Sequence, residues 1–344
     1  MVRCLSFHAG YRCRRSGACC TSNWPIPIEA DRLERARAAI ANGALTPVAR
    51  DVPPFETPAG TPEGSALVGV ANHACVFFER GARSCRIHET LGHDALPLAC
   101  RQFPRVSVRD PRGVSLTLSA YCPTASTLLH SSAPVTIVES PAAFPDTGEY
   151  EGLDARTALP PLLTRDRLMD WESWWRVEAR AVELLTESGD SAADALGRLR
   201  AAVESTIGWT PNDGQLIDRI DDAFETIRTT AGDCRHASHL DPAAVARRRA
   251  AVEESIPEDL QSSTAPRQAV VAVSPPSDAV LRRFLASHAF ANWTMHVGQG
   301  LRAWLRSIEA AHALVASGLD VRAADLRLRH LADPEALARK WSAG

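Results

Sequence analysis

The 344-residue sequence predicts an α+β fold: a small cysteine-rich α+β unit over residues 1–140, a Pro-rich linker over 141–164, and an all-α helical domain over 165–344. Three observations carry that reading. Eight of the nine cysteines (positions 4, 13, 19, 20, 75, 85, 100, 122 and 234) fall before residue 123. Two alternating segments in "RVSVRDPRGVSLTLSA" (Arg105–Ala120) flank an Asp-Pro-Arg-Gly turn. Beyond residue 164, apolar residues recur at helical spacing in one segment after another.

Taken in order, "SNWPIPIE" (Ser22–Glu29) is extended because its prolines exclude helix. It runs into "EADRLERARAAIANG", where Leu33, Ala36 and Ile40 share a helix face and Gly43 is a stop. Ala44–Ser65, rich in Pro, Gly and Thr, is a long loop. "ALVGV" and "CVFFE" are short strands, "RGARS" is a turn, and a short helix starts at Arg86. The Arg105–Ala120 segments form a hairpin, and Pro123 sits near a helix N-terminus. Helices are then expected over Arg165–Glu187, Ser191–Ile207, Pro211–Thr230 and Pro242–Ser255. After a loop at Ile256–Pro276 come further helices over Ser277–Val297, Leu301–Ser317 and Asp320–His330.

The apolar fraction of 45% is enough for a real core. A net charge of −3 and a pI near 6.4 argue against a general nucleic-acid binder. Residues 1–140 hold 15 Arg against 11 Asp and Glu, so the first part is basic and the remainder acidic. No run approaches the roughly 18 apolar residues of a membrane helix, and "MVRCLSFHAGYRCR" has no apolar leader core. The expectation is a soluble, cytoplasmic protein with neither nucleic acid nor membrane as partner.

In a reducing compartment, clustered thiols read as a metal or redox site before they read as a disulfide framework. Cys13, Cys19 and Cys20 come from one loop, Cys75 and Cys85 from a second unit, and Cys100 and Cys122 from the flanks of the hairpin. Such segments can converge on zinc or on an iron–sulfur cluster. Cys4 and Cys234, isolated from the rest, read as core residues. Neighbouring side chains such as Cys19 and Cys20 diverge in helix or strand, so a multi-iron cluster or two nearby sites suits them better than one small ion. Arg12, Arg14, Arg15, Arg86 and Arg101 lie within two residues of a cysteine and would offset thiolate charge. His88 and His73 are secondary candidates, and an oxidised disulfide fold is a third possibility.

Three blocks, "YRCRRSGACCTSNWPIPIEADRL", "ACVFFERGARSCRIHETLGHDALPLACRQFPR" and "GVSLTLSAYCP", give residues 11–140 a specific likeness. The chain resembles the cysteine-cluster proteins of the zinc- or iron-chelating CxxCxxCC type, and within them the flagellin lysine-N-methylase branch. Where the pattern usually has its second cysteine, this chain has Ser16, a poor ligand for soft metals. The resemblance implies a metal centre on Cys13, Cys19, Cys20, Cys75, Cys85, Cys100 and Cys122, with a 4Fe–4S iron–sulfur cluster favoured over zinc. It also implies a bacterial protein that transfers methyl groups from S-adenosylmethionine to lysines of a protein such as flagellin.

The sequence shows no methyl-donor motif, and "HVGQGLRAW" lies inside a helical pattern. Aromatic walls suit a sulfonium and a methylated amine, and Trp24 and Tyr121 are the aromatics nearest the cysteines. Trp171, Trp174 and Trp175 share a helix face and read as a core contact, and Arg247–Arg249 as a solvated face. Phosphate-loop, zincin and serine-hydrolase motifs are lacking. Two functions stay open: a metal-dependent lysine N-methylase, and a non-catalytic zinc- or iron-chelating protein that presents its helices to a partner.

Overall fold

The computed structural model describes residues 1–144, 149–187, 189–229, 241–257 and 275–342. It is α+β, with small sheets in the first part and helices in the second. The predicted hairpin forms the centre of a five-stranded sheet among the described residues. Arg105–Asp110 and Gly113–Leu118 pair in antiparallel register, Asp110 facing Gly113. Gly113 has φ +115, and a Cβ there would lie 2.3 Å from the Met1 carbonyl oxygen, so the turn admits only glycine.

The strand Val2–Leu5, not anticipated from sequence, runs parallel to Gly113–Leu118 and antiparallel to Ile137–Glu139. Within the stretch read as a linker, Leu153–Asp154 adds an edge strand to Arg105–Asp110. Leu162–Thr164 pairs with Arg167–Leu168, so the helix expected from Arg165 starts at Trp171 instead, where Asp170 caps it.

Other helices follow their side-chain caps: Ala192–Ile207 behind Ser191, Pro242–Glu253 behind Asp241, and Asp278–Ala289 behind Ser277. Leu216–Thr229 begins after a short 3₁₀ turn at Pro211–Asp213, later than the sequence suggests. The helix expected over Ser277–Val297 breaks at Ala291, which takes φ +52, and resumes as a 3₁₀ segment, Trp293–Val297. Leu301–Ala316 is the central helix. The helix expected over Asp320–His330 is α-helical only over Val321–Leu326 and widens into a π-helical turn, Arg327–Leu331. A final helix, Pro334–Ser342, had no place in the sequence reading. No helix among the described residues is long and apolar enough to cross a membrane.

Packing crosses the expected boundary at residue 140. Leu5, Phe7, Val108 and Ala120 from the sheet share one apolar core with Trp174, Phe284, Trp304 and Leu314 from the helices. Trp174 is indeed a core residue, edge-on to Trp304 at 5.7 Å. A separate, smaller core built on Ile28, Leu33, Val76, Phe77 and Ile87 underlies the cysteine-bearing segments.

Candidate metal centre

Each cysteine is placed by a tight local device. Gly17, in the left-handed region at φ +78, packs so closely on the Phe78 ring that a Cβ would lie 2.5 Å from it. It opens the 3₁₀ turn Ala18–Thr21 that carries Cys19 and Cys20. Cys75 ends a hairpin whose turn residues, Asn72 and His73, both take positive φ. Cys85 pairs with Phe78 and precedes the helix Arg86–Leu91, receiving the backbone N–H groups of Ile87 and His88. Cys100 lies on the short helix Leu98–Gln102, and buried Cys122 precedes Pro123–Leu128.

These devices bring Cys13, Cys19, Cys20, Cys75, Cys85, Cys100 and Cys122 onto the wall of one cavity of ≈ 540 Å³. The eight described cysteines are all free thiols, which does not favour the disulfide fold. Cys4 is fully buried in the sheet, whereas Cys234 lies outside the described residues. Contrary to the expectation that adjacent thiols diverge, Cys19 Sγ and Cys20 Sγ are 3.8 Å apart. Two thiolates sharing a tetrahedral ion with S–metal bonds of about 2.3 Å would stand at about that separation.

The seven divide into two groups. Cys19, Cys20, Cys75, Cys85 and Cys100 lie close enough to feel one another's charge. Cys13 and Cys122 instead flank Tyr11, whose hydroxyl is 3.6 Å from Cys122 Sγ. Burial pushes the Cys75 thiol up to about 12, raises Cys85, and raises Cys100 well above its ordinary value. The Cys19–Cys20 contact shifts the two thiols in opposite directions, Cys20 up with burial adding to it and Cys19 down. Crowded thiols in low dielectric cannot all ionise unaided, and a thiophilic cation offsets that penalty. No three Cys, His, Asp or Glu side chains among the described residues are already placed to hold an ion. Sulfur donors in this number are of the chemistry that suits a soft metal.

Ser16 lines the same cavity at the position of the missing thiol, its carbonyl accepting from Arg83 at 3.0 Å. His88 is on the wall and His73 is not. His93, whose ring lies 5.7 Å from that of His88, was missed by the sequence reading. Arg12, Arg15 and Arg101 border the cavity, joined by Arg83 and Arg105, while Arg14 and Arg86 do not. Arg86 pairs with Glu79 instead.

A second cavity, ≈ 510 Å³, opens between this unit and the C-terminal helices. Cys19 and Cys100 border both cavities. Its walls include Trp24, Phe103, Trp293, Trp341, Glu151 and His330. Trp24 packs on His330 at 4.8 Å and on Tyr121 at 5.3 Å, so both sequence-selected aromatics belong to one cluster, with Tyr121 behind the wall. Glu151, His330, Trp293 and Trp341 carried no sequence signal, since each comes from a separate loop or helix end.

Converging thiols on one cavity define the class: a cysteine-cluster, metal-binding unit. Residues 12–123 match the CxxCxxCC family model, described as "Putative zinc- or iron-chelating domain". No curated protein and no solved structure matches the chain.

Proposed function

We propose that the cysteine cavity holds an iron–sulfur cluster of the 4Fe–4S kind, with ligands drawn from Cys19, Cys20, Cys75, Cys85 and Cys100. We propose further that the chain is an S-adenosylmethionine-dependent protein lysine N-methylase. A single zinc ion in a closed tetrahedron uses four thiolates and little space, whereas seven thiols around ≈ 540 Å³ suit several irons. The observation that carries the catalytic reading is that Cys19 and Cys100 also border the aromatic cavity, so a bound metal would adjoin a site able to admit a substrate side chain. When bound, S-adenosylmethionine supplies the methyl group. The chain's own contribution is a pocket of Trp24, Phe103, Trp293 and Trp341 that excludes water and favours a cationic partner.

The non-catalytic alternative draws on the small core beneath the cysteines, which a metal would staple. Anaerobic purification, iron and sulfide analysis and an absorption spectrum decide the metal. The proposal expects iron and sulfide in the wild type, their loss in Cys19→Ala/Cys20→Ala, and tighter retention in Ser16→Cys. Zinc alone, unaffected by the double substitution, would overturn the cluster. Iron without S-adenosylmethionine binding would overturn the methylase.

A further inference from the structure

Asp325 is fully buried where the hairpin meets the C-terminal helices. Its carboxylate faces Arg329 at 3.6 Å and His288 at 3.0 Å. The Asp325 carboxyl is held well below its ordinary range: Arg329 is the leading cause, acting against burial, so it is an anion. Ser119 Oγ donates its one proton to Asp325 Oδ2. Ser119 Oγ also lies 2.7 Å from His330 Nε2. Since that hydroxyl proton is already committed, the second contact requires His330 to donate from Nε2. The remaining nitrogen, Nδ1, therefore carries a lone pair.

His330 sits on the π-helical turn Arg327–Leu331, a departure from regular helix of the kind found at functional sites. It lines the second cavity, and its Nδ1 is neither hydrogen-bonded nor sealed among the described residues. Across the same cavity Glu151 presents a carboxylate with no side-chain partner among the described residues. Burial holds the His330 imidazole down to about 4, so at neutral pH it offers an acceptor without a positive charge that would repel a cation.

We propose that His330 is a positioning residue of this cavity: its Nδ1, fixed as an acceptor by the Ser119–Asp325 relay, takes a hydrogen bond from a protonated amine whose charge is met by Glu151. The inference rests on the reading of the second cavity as the substrate site, and it names the groups that orient the amine there. A polar acceptor facing a charged donor in an aromatic enclosure distinguishes an N–H-bearing cation from a fully methylated one, which keeps its charge but has no hydrogen to donate.

The test uses the full chain and two probes, Nα-acetyl-lysine amide and its Nζ-trimethyl derivative, with binding followed by NMR. His330→Gln keeps a donor toward Ser119 and leaves no acceptor at the Nδ1 position, since its amide oxygen sits elsewhere. It should weaken the lysine probe about 10-fold or more and leave the trimethyl probe unchanged. Glu151→Gln should weaken both. Nitrogen-15 histidine spectra of the wild type should show His330 protonated at Nε2 and bare at Nδ1. Equal binding of both probes to His330→Gln and wild type, or the opposite tautomer, would overturn the assignment. Failure of the wild type to bind either probe would overturn it while leaving the metal centre intact. Amine discrimination in a preparation without iron would sustain it and overturn the cluster instead.

Discussion

The cysteine-bearing segments and the helical part are built on opposite principles. The helical part buries Trp174, Phe284, Trp304 and Leu314 in one continuous core that takes in the five-stranded sheet as well. The cysteine segments have strands of two residues, such as Ala74–Cys75, Phe78–Glu79 and Ser84–Cys85, over a core of far fewer side chains. Pairs this short are marginal in water by themselves. What such a unit lacks in apolar burial, a metal can supply, because binding free energy to a site absent from the unfolded chain is folding free energy.

Chelation tests that contrast most directly and should have the largest effect. Metal removal under reducing conditions is expected to abolish hydrogen-exchange protection across residues 17–103. Protection in the helices Trp171–Thr186 and Leu301–Ala316 should survive. Simultaneous loss in both parts would show that the two cores are one cooperative unit. The converse perturbation is Trp304→Ala. Trp304 is fully buried, and its indole N–H donates to the Ala289 carbonyl at 3.2 Å. Its removal should cost about 3–5 kcal/mol in the main unfolding transition, read by urea titration, with metal content per folded molecule unchanged.

The two principles also explain what the sequence disclosed. The hairpin was legible because Asp110-Pro111-Arg112-Gly113 is a turn in any context, and helix starts were legible at Ser191 and Ser277 because their side chains cap locally, whereas the start at Asp170 was masked by the strand pair before it. The thiols announced themselves by clustering. What stayed hidden depended on contacts between distant segments. Val2–Leu5 becomes a strand only beside Gly113–Leu118, and Glu151 reaches a cavity wall from a stretch whose prolines read as a linker. His330 gained a role through a π-helical turn that no periodicity encodes. The closeness of Cys19 and Cys20 depended on a turn opened by left-handed Gly17, where a helix or strand would have separated them.

Acid should sharpen the same contrast, with a smaller effect. Three histidines lie where sheet meets helices: buried His8, beside Thr117, buried His288, beside Asp325, and half-buried His330, beside Ser119. Burial lowers His8 to about 3 and His288 and His330 to about 4, against the nearby favourable charge of Asp325. In the unfolded chain each would titrate near about 6.5. Below that pH the unfolded state binds protons that the folded state refuses, so stability falls as pH drops through about 6.5 and levels off only near the folded values. Urea midpoints of the main transition should therefore decline between pH 8 and pH 6, and His288→Asn should flatten that slope. His8 packs on Phe7 and His288 on Phe284, both in the large core, so the slope they set should persist after chelation, whereas His330 packs on Trp24 beside the cysteine segments. A slope that disappeared with the metal would place the acid-sensitive groups in the cysteine unit and break the division between the two cores.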